Sequence, residues 1–519
     1  MLRHTRPALA GLLAVASGAA VAELVAALLG RPQAGTVVAV GAVLVDAAPT
    51  PVKEYAVATL GTADKPVLLG GIVLVLVVLA AVLGVVAHRN RYAGLVGAVA
   101  LGGVGLVAAL TRPAAAVVDA APSIIGTLAI AGLLVVLLRP LRQPVLIAVA
   151  VRAPDERHSL SDDSAARSDA ELDRRAFVTG AALVAAGTVA AAGGAAVLGR
   201  SATGTRARGA VRLPAAADPA PPLPDGLGPG FVTTNADFYR VDTALTVPRV
   251  DLDSWRLTIG GLADAPVELS FADLLARPLV ERLVTLNCVS NDVGGPYIGT
   301  ARWLGVPLAP LLREVGVQGS ADQLLARSVD GMTIGTPLAA VLDGREALLC
   351  VGMNGEPLPL EHGFPVRMLT PGLYGYVGAC KWLRELEVTT FDAVDAYWVA
   401  RGWSPQGPVK TASRIDVPAP FSRLGAGTVP VAGVAWAQGR GISGVEVQVD
   451  DGPWQRAALA PVPSVDTWVQ WRYDWAATSG GHALRVRATD GTGAMQPEQR
   501  AAPFPDGATG WHTVSVSVG

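Results

Sequence analysis

Hydrophobic residues are concentrated in the first 200 residues of this chain. Runs such as GIVLVLVVLAAVLGVVA (71–87) and AGLVGAVALGGVGLVAAL (93–110) carry no charge over the length that a helix needs to cross a bilayer. Run length and absence of charge predict five spanning helices, at about 7–29, 66–87, 92–111, 121–138 and 176–198. A shorter apolar run at 35–48 ends in DAAPTP, and we interpret it as a re-entrant or interfacial piece.

Positive charge predicts the orientation of these helices. If the first four alternate across the membrane, the same side receives Arg3, Arg6, HRNR (88–91), Arg139, Arg142 and Arg152. Because basic loops stay in the cytoplasm, residues 1–145 read as a multi-pass transmembrane region with a cytoplasmic N-terminus, and 146–173 as a cytoplasmic linker. The fifth helix then delivers everything beyond residue 200 to the outer face of the membrane.

The start of the fifth helix allows two interpretations. DRRAF (173–177) precedes a weakly hydrophobic stretch rich in Ala and Gly, which resembles an uncleaved twin-arginine export signal acting as an anchor at 174–199. Arg174 and Arg175 are explained equally well as ordinary basic residues on the cytoplasmic side. These residues alone do not decide between the two interpretations.

The hydrophobic pattern changes after residue 200. Residues 200–229 are rich in Pro, Ala and Gly without periodicity, which predicts a tether. Short β-like runs such as RLTIGGL (256–262) and ALLCVGMNG (347–355) then alternate with helical ones such as SFADLLA (270–276). This alternation predicts an α+β domain at 230–416.

The final segment, residues 417–519, alternates with a period of two. Val445, Val447 and Val449 are separated by polar residues and are followed by the turn DDG (450–452). Further strand-like runs follow at short spacing, in WVQWRYDWA and ALRVRATD. The segment therefore reads as a small β-sandwich.

Composition and charge limit the chemistry of the outer half. The chain is too apolar for one soluble domain, with a mean hydropathy of +0.42. Its net charge is only -2 and it has no long basic run, so no nucleic acid partner is predicted. The outer half contains no H-E-x-x-H, C-x-x-C or G-x-S-x-G motif, so a zinc or serine hydrolase is poorly supported.

The chain has three cysteines, and in an oxidising compartment at least one of them stays unpaired. Cys350 and Cys380 either form a bridge or lie buried as small hydrophobic residues. Cys288, in VTLNCVSND, stands between an apolar strand-like run and a polar turn. The residues on either side of Cys288 help to decide which role it has.

The sequence around Cys288 resembles a known family. VTLNCVSNDVGGPYIGTARWLGVPLAPLL, followed by LPLEHGFPVRMLTPGLYGYVGACKWLRELEV, is similar to the molybdopterin domain of the sulfite oxidase family. GATGWHTVSVSV is similar to the end of that family's immunoglobulin-like dimerisation domain. The resemblance covers about residues 230–519. It implies a multidomain fold: an N-terminal α-helical transmembrane region, an α+β sulfite-oxidase-type molybdopterin domain and a C-terminal immunoglobulin-like β-sandwich.

The resemblance also implies the cofactor and its ligands. Cys288 would be the thiolate ligand of molybdenum, which is chemically sensible because a soft thiolate suits a sulfur-rich metal site. The family positions that hold the pterin and its phosphate match a set of polar residues in this chain, and Cys288 and Arg240 are the catalytic candidates. The set is Asn235, Tyr239, Arg240, Ser328, His362, Arg367 and Lys381.

The implied activity is a molybdenum cofactor-dependent oxidoreductase that transfers an oxygen atom to or from a small-molecule substrate on the outer face of the cell membrane. No C-x-x-C-H haem site is present, so no haem is predicted and a separate electron carrier or redox protein is expected. The helices would contact membrane lipid, and the C-terminal domain would form a homodimer. A cofactor inserted in the cytoplasm favours the twin-arginine interpretation, because that route moves folded proteins.

Two departures from the family pattern keep the substrate open. True sulfite oxidases carry an Arg just before the Asn of the N-terminal stretch, whereas FVTTN (231–235) has Thr234 there. They also carry a Tyr in the segment that corresponds to DGMTIGTPL (330–338), which has none. The alternatives are therefore a sulfoxide or N-oxide reductase, or a non-catalytic membrane-anchored binding or sensor module.

Overall fold

The structure is a computed structural model and describes residues 4–60, 63–142, 162–201, 203–228 and 230–519. The chain forms two compact units. The first contains the N-terminal helices together with the short segment Thr243–Thr246, and the second contains Thr203–Asp242 and Val247–Gly519. We describe each unit by itself.

The first unit is entirely helical. Its helices are α1 (Thr5–Leu28), α2 (Thr36–Ala47), α3 (Thr50–Leu60), α4 (Asp64–Arg89), α5 (Arg91–Leu110), α6 (Ala120–Arg142) and α7 (Asp162–Ser201). In the described residues, five segments are long and apolar enough to cross a membrane, and they coincide within a few residues with the five predicted helices. The apolar run at 35–48 forms the short helix α2, and α3 has no counterpart in the sequence interpretation. Arg3, Arg152 and most of the predicted linker lie outside the described residues.

Small residues allow these helices to pack closely. Gly11 of α1 faces Gly84 of α4, and a Cβ built on Gly11 would lie 2.6 Å from the Gly84 nitrogen. Glycine pairs of this kind let helix backbones approach where lipid provides no hydrophobic driving force. At the helix ends, the fully buried Asp119 pairs with Arg31 and with Arg112, the latter at 3.0 Å.

The first part of the second unit mixes helices and strands, as predicted. Its elements are α8 (Thr203–Ala210), β1 (Arg256–Gly261), β2 (Val267–Ser270), α9 (Phe271–Leu275), β3 (Val280–Asn287), β4 (Ile298–Pro307), α10 (Leu308–Glu314), β5 (Gln323–Ser328), β6 (Thr333–Pro337), α11 (Leu338–Leu342), β7 (Leu348–Met353), β8 (Glu356–Pro357), β9 (Arg367–Leu369), α12 (Gly375–Gly378) and β10 (Leu383–Thr389). The strands form two sheets, with orders β2-β1-β10-β5-β6 and β3-β4-β7-β8, and β9 pairs with β7.

The C-terminal part contains only strands. They are β11 (Ala412–Val417), β12 (Arg423–Leu424), β13 (Gly427–Trp436), β14 (Ile442–Val449), β15 (Gln455–Arg456), β16 (Ala458–Leu459), β17 (Val469–Ala477), β18 (Gly480–Asp490) and β19 (His512–Val518). They form two sheets, β11-β13-β17-β16 and β12-β19-β18-β14-β15, which share one hydrophobic core. The predicted domain boundary at 417 is corrected to Ala412, because β11 pairs along its length with β13 of the C-terminal sheet.

The prediction of a tether at 200–229 was wrong for most of that segment. Residues 203–210 form α8, and Val211 and Leu213 pack against the main hydrophobic core of the unit. Ala217 N–H donates to Leu279 O at 2.7 Å, and Asp218 O accepts from Glu281 N–H at 2.9 Å. The segment lacks periodicity because it follows the surface of the domain, where a few apolar side chains suffice to hold it.

Candidate functional site

Cys288 directly follows β3, at the start of a turn that returns the chain into β4. Strand β3 is buried over its last five residues, which fixes the end of the strand in the core. Cys288 N–H donates to Tyr297 O at 3.0 Å, and the Asn291 side chain accepts from Tyr297 N–H at 2.8 Å. The Cys288 side chain is therefore held by a closed, hydrogen-bonded loop and is only 8% exposed.

The environment of Cys288 suits a metal whose other ligands come from a cofactor. Burial raises the pKa of the Cys288 thiol, while donors at Ser290 and the charge of Lys381 oppose that shift. A buried thiol loses its proton when a metal binds the sulfur. In the part of the chain that the structure describes, no group of three or more His, Cys, Asp or Glu side chains is placed to hold a metal ion. A metal bound here needs most of its ligands from a cofactor.

Arg367 is a buried cation without a carboxylate partner among the described residues. It lies on β9, is 4% exposed, and has its guanidinium 4.9 Å from the centre of the Trp303 ring. One Nη donates to His362 O at 3.2 Å, while the buried Nε has no hydrogen-bond partner. Burial lowers the pKa of Arg367, but a guanidinium remains charged. Because an unpaired buried charge is costly, this arrangement indicates an anionic ligand.

His362 links the Arg367 region to the N-terminal stretch. It ends a 3-10 turn at Leu360–His362, and its Nε2 lies 2.9 Å from Asn235 O. Burial, helped by the charges of Arg367 and Lys381, lowers the pKa of His362 to about 4. The ring is thus neutral at neutral pH. If Nε2 donates to the Asn235 carbonyl, Nδ1 is left as an acceptor.

Asn235 is held by its own side chain as well. Its Nδ2 donates to Glu356 Oε1 at 2.5 Å and to Met353 O at 3.3 Å, and its Oδ1 accepts from Asn354 Nδ2 at 2.9 Å. The Asn235 amide is therefore occupied within the protein. Its carbonyl, rather than its side chain, contacts His362.

Lys381 and Arg240 share one carboxylate that the sequence interpretation missed. Lys381 Nζ donates to Asp242 Oδ2 at 2.7 Å, and Arg240 Nε donates to the same oxygen at 2.9 Å. Burial lowers the pKa of Lys381 to about 8, while Asp242 opposes that shift. The only available signal for Asp242 was its position two residues after Arg240.

Tyr239 and Ser328 complete the predicted set. Burial, and the neighbouring Cys288 sulfur, raise the pKa of Tyr239 well above its ordinary value, so its hydroxyl stays protonated. A Cβ built on Gly375 would lie 3.8 Å from that hydroxyl. Ser328 is buried at the end of β5 and pairs in register with Leu383, two residues after Lys381. Its hydroxyl accepts only a long 3.4 Å bond from Asp330 N–H.

The C-terminal strands also contact the cysteine loop, and no sequence pattern predicts this contact. Arg414 donates to Gly295 O at 2.8 Å. The His512 ring packs against Gly294, whose φ of +80° suits glycine, and its Nδ1 accepts from Ile415 N–H at 3.0 Å. The loop that carries Cys288 is thus held from both parts of the second unit.

The residues present fit a molybdopterin group. Arg367, Lys381 and Arg240 provide three cations and Asp242 one carboxylate, which leaves an excess of positive charge suited to a phosphate. The unpartnered Arg367 Nε supplies a donor that no described protein group uses. Cys288 would supply a soft sulfur ligand for the metal. Direct contacts or close charge interactions connect all the predicted site residues with one another, except Ser328.

Several other residues take structural roles. Cys350 and Cys380 are buried free thiols, so they do not form a bridge. Arg302 pairs with Glu281 at 3.2 Å and is an ion-pair partner. Phe238 and Trp382 are buried, at 4% and 2% exposure.

Comparison with known proteins places the chain among molybdopterin-binding oxidoreductases. Residues 244–398 match the model of the oxidoreductase molybdopterin binding domain family. The chain is 32% identical over 283 residues to mitochondrial sulfite oxidase of Mus musculus, covering 46% of this chain and 51% of that protein. It is 30% identical over 336 residues to sulfite oxidase of Gallus gallus, covering 54% of this chain and 72% of that protein. It thus spans about half the length of the mouse relative.

A solved structure supports the fold. The sulfane dehydrogenase SoxCD from Paracoccus pantotrophus superposes with a TM-score of 0.50 at 24% sequence identity, covering 56% of this chain and 82% of that one. At this identity the likeness concerns the fold alone.

Proposed function

This chain belongs to the sulfite oxidase family of molybdenum cofactor-dependent oxidoreductases, and we propose that it transfers an oxygen atom to or from a small substrate on the outer face of the membrane. The observation that carries the proposal is the buried Arg367, whose Nε has no hydrogen-bond partner among the described groups. When bound, the cofactor supplies two-electron oxidation or reduction coupled to oxygen transfer.

The protein's own residues would bind the cofactor and orient the substrate. Cys288 would ligate the metal, and Arg367, Lys381 and His362 would hold the pterin and its phosphate, with Arg240, Asn235 and Ser328 around them. Tyr239 would present a neutral hydroxyl beside Cys288, because its raised pKa keeps it protonated. Oxidation of a substrate by one oxygen atom consumes water and releases two protons and two electrons. A separate electron carrier or redox protein would accept those electrons.

One observation favours a neutral substrate over sulfite. Arg240, the cation of the N-terminal stretch, is already paired with Asp242, and Thr234 donates to Asp237 at 2.6 Å. This stretch therefore offers an anionic substrate no cation that lacks a carboxylate partner. Reduction of a neutral sulfoxide or N-oxide needs no such cation, so we propose this direction as the second candidate.

The purified full chain tests these proposals. Molybdenum analysis should find the metal bound, and a chain that folds without it would instead support a binding or sensor module. Loss of one fixed charge typically weakens anion binding about a thousandfold, so sulfite should be a poor substrate. Efficient oxidation of micromolar sulfite would contradict this expectation. Reduction of a sulfoxide with an artificial electron donor would support the reductase.

Localisation and assembly complete the proposal. Five helices that are long and apolar enough to cross a membrane support a multi-pass membrane protein. We further propose that the second unit is extracytoplasmic, that it reaches its place by the twin-arginine route, and that the C-terminal strands form an immunoglobulin-like domain that pairs two copies of the chain.

A further inference from the structure

The segment that follows the last membrane helix in sequence is bound to the wall of the cofactor site. We call residues 203–218 the strap. Its helix α8 packs Ala207 against the buried cluster that contains Leu358 and Phe364. A Cβ built on Gly204 would lie 3.5 Å from the Leu360 side chain. The strap therefore lies directly on the chain that leads into the Leu360–His362 turn.

Arg208 makes the polar contacts of the strap with this wall. Its Nε donates to Leu358 O at 2.9 Å and to Pro357 O at 3.1 Å, and one Nη donates to Glu356 Oε2 at 2.8 Å. A guanidinium is suited to this task because its forked donors reach several acceptors at once. Three consecutive residues, 356 to 358, are thus fixed by one side chain.

Two routes lead from Arg208 to His362. The first is the chain itself, since Leu358 is four residues before His362. The second is a hydrogen-bonded relay: Glu356 accepts from Arg208 and from Asn235 Nδ2, and the Asn235 carbonyl contacts His362 Nε2. Both partners also hold the pKa of Glu356 below its ordinary value, with the Arg208 bond as the larger cause.

We propose that Arg208 is a positioning residue, which holds the Glu356–Asn235–His362 relay and thereby the cofactor. This inference rests on the proposed use of His362 in cofactor binding. It gives the strap a function beyond joining two parts of the chain, because release of α8 would loosen one wall of the site.

The test compares two arginines that hold the same strap at different ends. Arg282 donates to Asp218 Oδ2 at 2.6 Å and also pairs with Glu346, but neither partner belongs to the relay. The full-length variants Arg208→Met and Arg282→Met would be purified beside the unchanged chain. The molybdenum and pterin that each chain retains after gel filtration would be measured at successive times, together with the unfolding midpoint.

We expect both variants to unfold at a lower temperature than the unchanged chain. Only Arg208→Met should lose cofactor about tenfold faster than the unchanged chain, because it alone loses a charged hydrogen bond beside the site. The double variant Arg208→Met with Glu356→Gln should lose cofactor no faster than the worse single variant, since both act in one relay. Equal retention by Arg208→Met and the unchanged chain, or equal loss by Arg282→Met, would overturn the proposal. An unchanged chain without molybdenum would instead contradict the proposed function.

Discussion

At the scale of single residues, the site separates metal binding from anion binding. Under the proposed function Cys288 would be the soft ligand, whereas the cations Arg367 and Lys381 lie elsewhere in the same unit. Because no described cluster of His, Cys, Asp or Glu could hold a metal alone, the cofactor must be retained by contacts away from the sulfur. The two tasks are therefore separable by mutation.

Cys288→Ser tests this separation. We expect a folded chain that still contains pterin but has lost its thiolate-to-molybdenum absorption. Mutations that leave the metal ligands intact reduce activity by up to about a hundredfold, so loss of the ligand itself should reduce oxygen transfer by more than that. Pterin fluorescence, visible absorption and turnover would be measured on one preparation. Unchanged turnover would end the assignment of Cys288 as the metal ligand.

His362 predicts a pH dependence of stability. Its pKa is about 4 in the folded chain, against 6.5 for an ordinary histidine, so the unfolded chain binds a proton first as the pH falls. The contribution of His362 to the free energy of unfolding is therefore complete above pH 6.5. It is lost as the pH falls toward 4, and the loss is about 3 kcal/mol at most.

The cofactor-free chain would show this effect in tryptophan fluorescence. All 11 tryptophans lie at or after Trp255, so the signal reports the second unit. His362→Gln keeps an N–H donor for Asn235 O but does not titrate, and we expect its unfolding free energy to change less between pH 6.5 and 4. Parallel curves for the two chains would refute the assignment of a neutral, buried His362.

At the scale of elements, the turn after His362 brings Arg367 and Lys381 together. Gly363 has a φ of +112°, and a Cβ there would lie 3.1 Å from Arg367 Cβ and 3.2 Å from Lys381 Cα. Glycine is needed at this position both for the left-handed backbone and for the close approach of the two chains. A side chain here would push apart the elements that carry the cations.

Gly363→Ala should therefore lower both stability and cofactor content. Gly344→Ala is the matched control, because Gly344 also has a positive φ, of +102°, but a Cβ there meets nothing within 4 Å. Both variants should lose about 1–2 kcal/mol of unfolding free energy from backbone strain. Only Gly363→Ala should bind less molybdenum, and equal molybdenum content in the two variants would show that the turn does not position the cations.

At the scale of the whole molecule, the proposed outer location of the second unit requires an export route. The five apolar helices fit a membrane protein, and the basic residues flanking them favour an outer location for the rest of the chain. A folded protein that carries a cofactor needs an export route that accepts folded cargo. The pair Arg174 and Arg175 is the feature that distinguishes such a route.

Replacement of both Arg174 and Arg175 by Lys keeps the positive charge and removes only the twin-arginine motif. We expect the second unit to remain in the cytoplasm in this variant. A reporter fused after residue 519 that is active only in the cytoplasm would be silent in the unchanged chain and active in the variant. An active reporter in the unchanged chain would show that the proposed topology is the wrong way round. A silent reporter in the variant would show that Arg174 and Arg175 act only as ordinary basic flanking residues.

The sequence determined the features that depend on local composition. A spanning helix needs about twenty apolar residues in a row, so the five apolar helices were found within a few residues. The strand before Cys288 and the alternating strand at 442–449 were likewise visible in short windows. The cysteine and H-G-x-P-x-R blocks identified the family because each is contiguous.

Only the tertiary structure decided which distant residues share a partner. Lys381 and Arg240 meet on Asp242 across a separation of 139 residues, and Arg208 reaches Glu356 across 148. No periodicity records such a contact, because each partner is a single polar residue far from the other in the sequence. For the same reason the strap at 203–218 was misread as a tether: its composition is that of a linker, and its order comes from the domain surface on which it lies.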